Sequence, residues 1–114
     1  MSTMPKPARR DLLPGLLDLL ILKSVSAQPM HGYAIAQYLQ VVTRDVIQVQ
    51  EGSLYPALQR MRQKGWIKAE WRMTPNNQRA RYYEITALGR KQLGEEQKGF
   101  AELVTAVQRV LRPA

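Results

Sequence analysis

Gln50-Glu51-Gly52-Ser53-Leu54-Tyr55-Pro56-Ala57-Leu58-Gln59-Arg60-Met61-Arg62-Gln63-Lys64-Gly65 is the stretch whose reading decides the fold. It reads as a short helix with both ends marked. Ser53 is placed to cap the N-terminus, its hydroxyl accepting from an orphan backbone N–H one turn ahead. Pro56 then falls in the first turn, where a missing N–H costs little. Gly65 suits the left-handed residue that closes a helix. Leu54, Ala57, Leu58 and Met61 follow the i, i+3, i+4, i+7 spacing of one buried stripe. The opposite face carries Tyr55, Gln59, Arg60, Arg62 and Gln63, which donate hydrogen bonds and include no acid. A short amphipathic helix with a cationic outer face is what insertion into a DNA groove requires. Many solvated surface helices look the same, so the flanking chain has to decide.

Downstream, Trp66 to Met73 alternates: Ile67, Ala69, Trp71 and Met73 share one face, Lys68, Glu70 and Arg72 the other. That is the pattern of a half-buried strand. Thr74-Pro75-Asn76-Asn77-Gln78 is a turn by composition. Arg79 to Ile85 reads as the returning strand, with Arg81, Tyr83 and Ile85 on one side and Tyr82 and Glu84 on the other. The hairpin carries Asn76 and Asn77 at its tip and Arg72, Arg79 and Arg81 on its shoulders. A hairpin directly after a basic-faced third helix is the order of a winged helix, which predicts a wing lying on DNA. Trp66 and Trp71 are expected to serve core and strand packing.

Upstream, Leu12 to Ser26 reads as a first helix, apolar around most of its circumference. Such a helix is buried on more than one side, here against the core and against a second subunit. Asp18 is the only acid in that apolar setting, and a dimer or capping contact is expected of it. Ala27 to Gly32 reads as a turn and Tyr33 to Val42 as a second helix, with Ile35, Leu39 and Val42 inward and Tyr33 and Gln37 outward. His31, the only histidine, has no companion for a metal, so capping or a phosphate contact is expected of it. Thr43 to Val49 reads as a connector with a very short strand at Ile47 to Val49. Met1 to Asp11 lacks periodicity and reads as a flexible basic arm.

Thr86 is a candidate N-cap for a last helix running to about Arg112. At ~1.5 Å per residue such a helix spans roughly 40 Å, more than a domain of this size can cover. Leu93, Phe100 and Val107 repeat every seventh residue, with Leu103, Val104, Val110 and Leu111 beside them. This heptad-like stripe predicts a partner helix. Gly94 and Gly99 predict a kink or local looseness between.

The chain has 114 residues, enough for one domain, with 17 basic and 9 acidic residues and a net charge of +8. Gly52 to Arg81 holds seven basic residues and one acid, Glu70, so the excess sits in one place and favours a polyanionic partner. With no cysteine, disulfides and thiolate metal sites are excluded. No signal segment or membrane span is evident, and a cytoplasmic location is expected. One histidine, no cysteine and no paired acids leave no nucleophile–base constellation. Neither an enzyme, a cofactor nor a metal is expected.

Several of these stretches resemble the PadR-like transcriptional regulators. They are Leu16-Leu17-Asp18-Leu19-Leu20-Ile21-Leu22, His31-Gly32-Tyr33-Ala34-Ile35, Gly52-Ser53-Leu54-Tyr55-Pro56-Ala57-Leu58, Gly65-Trp66-Ile67, and Arg81-Tyr82-Tyr83-Glu84-Ile85-Thr86 with Gly89. They run in order over roughly residues 12 to 90. The resemblance implies a winged helix-turn-helix dimer binding an inverted repeat, usually as a repressor. The chain then divides into an arm (1–11), a DNA-binding domain (12–85) and a C-terminal dimerisation helix (86–114). By position, Ser53, Tyr55, Pro56 and Gln59 would enter or border the major groove, with Arg60 and Arg62 more often on phosphates. Tyr33, Gln37, Asn76, Asn77, Arg79 and Arg81 would meet the backbone. Leu13, Leu16, Leu17, Leu20, Leu93, Phe100, Leu103, Val104, Val107 and Leu111 would form the dimer interface. Some members of the short subgroup, to which a single C-terminal helix points, bind planar aromatic or drug-like effectors between subunits. Here that helix carries Phe100 and no tryptophan. The fold class expected is mainly α (α+β), with a two-stranded wing. The competing reading is a winged helix that docks another protein, which salt-sensitive DNA binding would separate from the first.

Overall fold

A computed structural model describes residues 15–113; the basic arm, Leu12 and Leu13 lie outside the described residues. The elements are α1 (Leu16–Ser24), β1 (Met30–His31), α2 (Gly32–Val42), α3 (Glu51–Gln63), β2 (Ile67–Met73), β3 (Arg79–Ile85) and α4 (Ala87–Leu111). The winged helix-turn-helix expected from the sequence is present. The sheet has one strand more than expected, in the order β1-β3-β2, all antiparallel. Met30 pairs with Tyr83 and His31 with Tyr82, so the segment expected to be only a turn also anchors the base of the wing. The short strand expected at 47–49 does not form.

The core gathers one stripe from each element. Ile21, Leu22 and Val25 come from α1 and its end, Ile35 and Leu39 from α2, and Leu54, Ala57, Leu58 and Met61 from α3. Ile67, Tyr83 and Ile85 close it from the sheet, and Leu93 from α4. The α3 stripe is the one its spacing predicted. Val42, expected inward, is exposed, because α2 ends there and its last turn overhangs the core. Leu16, Leu17 and Leu20 are half-buried against the core, leaving part of each side chain open.

The two ends of α3 fared differently. Its C-terminus is closed as Gly65 predicts. Gly65 has φ +79°, the Trp66 N–H donates to the Met61 carbonyl and the Gly65 N–H to the Arg62 carbonyl, both at 3.0 Å. These two reversed bonds satisfy carbonyls the helix would otherwise orphan. The N-terminus begins earlier than expected. Gln50, with an extended backbone, is the cap residue, and its carbonyl accepts from the N–H groups of Ser53 and Leu54 at 3.0 and 2.9 Å. Ser53 therefore lies inside the first turn and does not cap. Pro56 lies in the second turn, where its missing N–H leaves the Gly52 carbonyl without its i+4 donor. Glu51, now in the first turn, places a negative charge at the positive end of the helix dipole.

At the wing–α4 junction, Thr86 caps α4 by accepting from the Gly89 N–H at 3.0 Å. The same hydroxyl donates to the Gly65 carbonyl at 2.6 Å, and the Thr86 N–H donates to the Trp66 carbonyl at 3.0 Å. One threonine thus ties the end of α3, the start of β2 and the start of α4. From there α4 runs without a break for 25 residues, straight through Gly94 and Gly99, where looseness was expected. Leu93 is buried in the chain's own core rather than left for a partner. Beyond it Phe100, Leu103, Val107 and Leu111 are exposed, and Val104 is half-buried.

Candidate nucleic-acid interface

The helical side of the interface is the outer face of α3. Ser53, Tyr55, Pro56, Gln59 and Gln63 are exposed along it, opposite the buried stripe. Tyr55 leans towards α2: a Cβ added to Gly32 would stand 2.8 Å from the Tyr55 hydroxyl oxygen. Glycine at position 32 therefore lets the phenol lie on the start of α2. That burial raises the Tyr55 pKa above the ordinary range, with Glu51 and then Tyr83 adding to the effect. The hydroxyl stays protonated near neutrality and remains a donor.

His31 positions the same region. Its extended backbone precedes α2, and its Nδ1 accepts from the Ala34 N–H at 3.2 Å. The histidine is a helix cap, as its place in the chain suggests. Its ring also meets the Tyr82 ring edge-on at 5.2 Å.

Arg60 is exposed with the outward residues but is also tied to α1. Its guanidinium pairs with Asp18 of α1 at 2.5 Å, the carboxylate being almost buried and the arginine half-exposed. Asp18 thus makes an intrachain ion pair and does not cap α1, the capping contact being one of the two expectations for it. Forty-two residues separate the partners, so no local pattern shows the pair. The buried carboxylate needs a cation, which fixes Arg60 along the α1–α3 seam. Arg62 is half-buried.

The wing is built as its sequence indicates, over strands of seven residues each. Its turn is held by the Asn77 N–H on the Thr74 carbonyl at 2.9 Å and the Thr74 N–H on the Gln78 carbonyl at 2.7 Å. Asn77 takes φ +62°, a conformation asparagine tolerates better than most residues. Between the wing and the start of α2 and α3 lies an open groove of about 760 Å³. Tyr33, Gln37, Tyr55, Asn76, Arg79 and Arg81 all line it. Those six expected contact residues, drawn from α2, α3 and the wing, are thus brought together. Ser53, Pro56 and Gln59 lie on α3 outside the groove's lining, and Asn77 sits at the tip.

Trp71 is the residue the sequence reading misplaced. Assigned to packing, it is 56% exposed and lines the groove. Strand alternation does put it on the face of Ile67, but the core reaches only the first rungs of the hairpin. A tryptophan four residues out along a wing was the available signal. Among the described residues, no group of three His, Cys, Asp or Glu is placed to hold a metal. No described helix is long and apolar enough to cross a membrane.

A model of the transcriptional regulator PadR-like family matches residues 21–95. Over 95 residues the chain is 34% identical to an uncharacterized protein of Lysinibacillus sphaericus, covering 83% of this chain and 87% of that one. Among solved structures, a PadR-like transcriptional regulator from Bacillus cereus is 29% identical, with 88% of this chain and 95% of that chain covered and a TM-score of 0.76. A transcriptional regulator from Clostridium thermocellum has a TM-score of 0.79 over 86% of this chain and 95% of that chain. At 23% identity its likeness is one of fold alone.

Proposed function

Since this chain belongs to the PadR-like family of transcriptional regulators, and is on that ground a DNA-binding regulator rather than an enzyme, we propose that it acts as a dimeric repressor on an inverted-repeat operator. The observation that carries the reading is the groove between α3 and the wing. Its lining includes Arg79 and Arg81 and no acidic residue. Backbone phosphates are attracted there whatever the sequence, releasing counterions. Base reading falls to the outer face of α3, where Gln59 is suited to adenine and Tyr55 with Pro56 to a thymine methyl.

The dimer is supported by α4. Phe100, Leu103, Val107 and Leu111 form an apolar stripe that the chain's own core does not cover, and a second copy of the same stripe is its natural complement. Leu16, Leu17 and Leu20 lie half-open on α1 and extend that surface. A two-fold dimer places its α3 helices in successive major grooves, roughly 34 Å apart. An aromatic or drug-like effector, where one acts, would change the angle between the halves and so bias a DNA-competent spacing. In such a regulator, a cytoplasmic location is expected.

The test is selection of bound duplexes from a random pool at near-physiological salt. An inverted repeat with half-sites about one turn apart is the expected recovery. Recovery of no motif, with binding that vanishes as salt rises, would reduce the basic surface to a charge alone.

A further inference from the structure

The two faces of the wing differ in how their arginines are neutralised. On the even-numbered face, Arg72 pairs with Glu70 at 2.8 Å and approaches Glu84 at 3.9 Å, and its guanidinium lies 5.6 Å from the centre of the Tyr82 ring. That cation is accounted for within the hairpin. On the odd-numbered face, Arg79 and Arg81 flank Trp71, their guanidinium carbons 5.0 and 5.8 Å from the indole centre. No described acid pairs with either, and Nε of Arg81 is buried with no hydrogen-bond acceptor. The indole is more than half exposed on a hairpin that has no core beneath it at that rung. This face holds two unneutralised cations, an unsatisfied N–H and an uncovered apolar plate, all turned into the groove.

Resting on the DNA-binding reading above, we propose that Trp71 is itself a DNA contact: one backbone strand lies along the odd-numbered face of the wing, with the indole against a deoxyribose and Arg79 and Arg81 on the flanking phosphates. The chemistry of the strand matches what the face lacks. Phosphate oxygens supply the acceptors that the guanidiniums want. The sugar's C–H face covers the indole and removes its apolar surface from water. The arginines also hold the ring by cation–π contact before DNA arrives, so little side-chain freedom is lost on binding. Because sugar and phosphate carry no sequence information, the contact serves every duplex equally.

That indifference makes a mixed-sequence duplex at low salt a sufficient probe, with no operator needed. In a Trp66→Phe protein, Trp71 is the sole indole, since the chain has two tryptophans. Its emission should shift and quench on titration with the duplex. Trp71→Ala should weaken binding about five- to tenfold, within the range for aromatic contacts to nucleic acid. Its dependence on salt should stay unchanged, and Trp71→Phe should recover most of the loss. Arg81→Ala should lower the salt slope by about one. Unfolding of Trp71→Ala should match the wild type, because the ring supports no core. If the wild type binds the duplex while the indole emission does not move and Trp71→Ala binds equally well, the inference is overturned and the DNA-binding reading stands. If the wild type binds no duplex at all, both fall together.

Discussion

Placing a methyl group on Gly89 tests how the DNA-reading unit is joined to α4. A Cβ there would stand 2.9 Å from Ile85 Cγ1 and closer still to the Trp66 carbonyl oxygen. The obstacle is backbone, so no rotamer change relieves it. Overpacking of this kind costs about 1–3 kcal/mol. The shift it forces also strains the Thr86 cap, whose loss costs about 1 kcal/mol. Against this, alanine gains at most about 1 kcal/mol of helix propensity over glycine. The net expectation for Gly89→Ala is a loss of about 1–3 kcal/mol. Gly94→Ala, in the same helix with nothing within 4 Å of its added Cβ, should keep the propensity gain and no clash. The two variants should therefore move in opposite directions. For a domain of this size 1 kcal/mol corresponds to roughly 4–8 °C in Tm. Gly89→Ala should melt about 5–20 °C lower and Gly94→Ala a few degrees higher. Circular dichroism at one fixed protein concentration reads both, the fixed concentration holding any association constant. A Gly89→Ala protein melting at or above the wild type would refute the close-approach argument.

Arg60→Ala should cost about 1–3 kcal/mol by urea unfolding, less than for a fully buried pair because the arginine is half-exposed, and should change DNA affinity by less than about threefold by fluorescence anisotropy. Gly32→Ala pushes only the end of the Tyr55 side chain, so stability should change by less than about 1 kcal/mol while DNA affinity in the same assay falls. Spectrophotometric titration should show a phenol that ionises above the ordinary tyrosine range, and Tyr55→Phe should remove it. Since the folded-state pKa is the raised one, that stability is intact below the unfolded pKa and is lost as pH climbs through the folded one. Leu103→Glu with Val107→Glu should give a monomer in sedimentation equilibrium, with the linked binding of two half-sites lost.

What was legible in the sequence was whatever local chemistry decides. The α3 stripe, the Gly65 stop, the bounds of β3 and the Thr86 cap each depend on residues within a few positions. The start of α3 was misread because Ser53 is a good cap in isolation, while the extended Gln50 that wins has no compositional mark. The strand at Met30–His31 is two residues long, too short to show a period, and exists because Tyr82 and Tyr83 pair with it. Arg60 looked free because its partner lies in another helix. Trp71 looked buried because alternation gives a face without saying how far the core extends beneath it. Tyr33, Gln37, Tyr55, Asn76, Arg79 and Arg81 were read as DNA contacts from their places on a winged helix, and the fold brings them to one groove, whereas the indole between the arginines required coordinates.

The long helix has a mechanical consequence. Leu93 is its last residue seated in the core, so some eighteen residues to Leu111, about 27 Å, project as a cantilever. Its clamp is made of the Thr86 hydroxyl, the Trp66 carbonyl, the bare backbone of Gly89, the Arg90 guanidinium on the Ser26 carbonyl and Leu93 in the core. A tilt of about 5° at that clamp displaces the far end by about 2 Å over such a length. In the dimer proposed above, the distance between the two reading heads would be tuned at this root, where a single methyl matters, while the shaft could vary in sequence only outside the Phe100, Leu103, Val107 and Leu111 stripe.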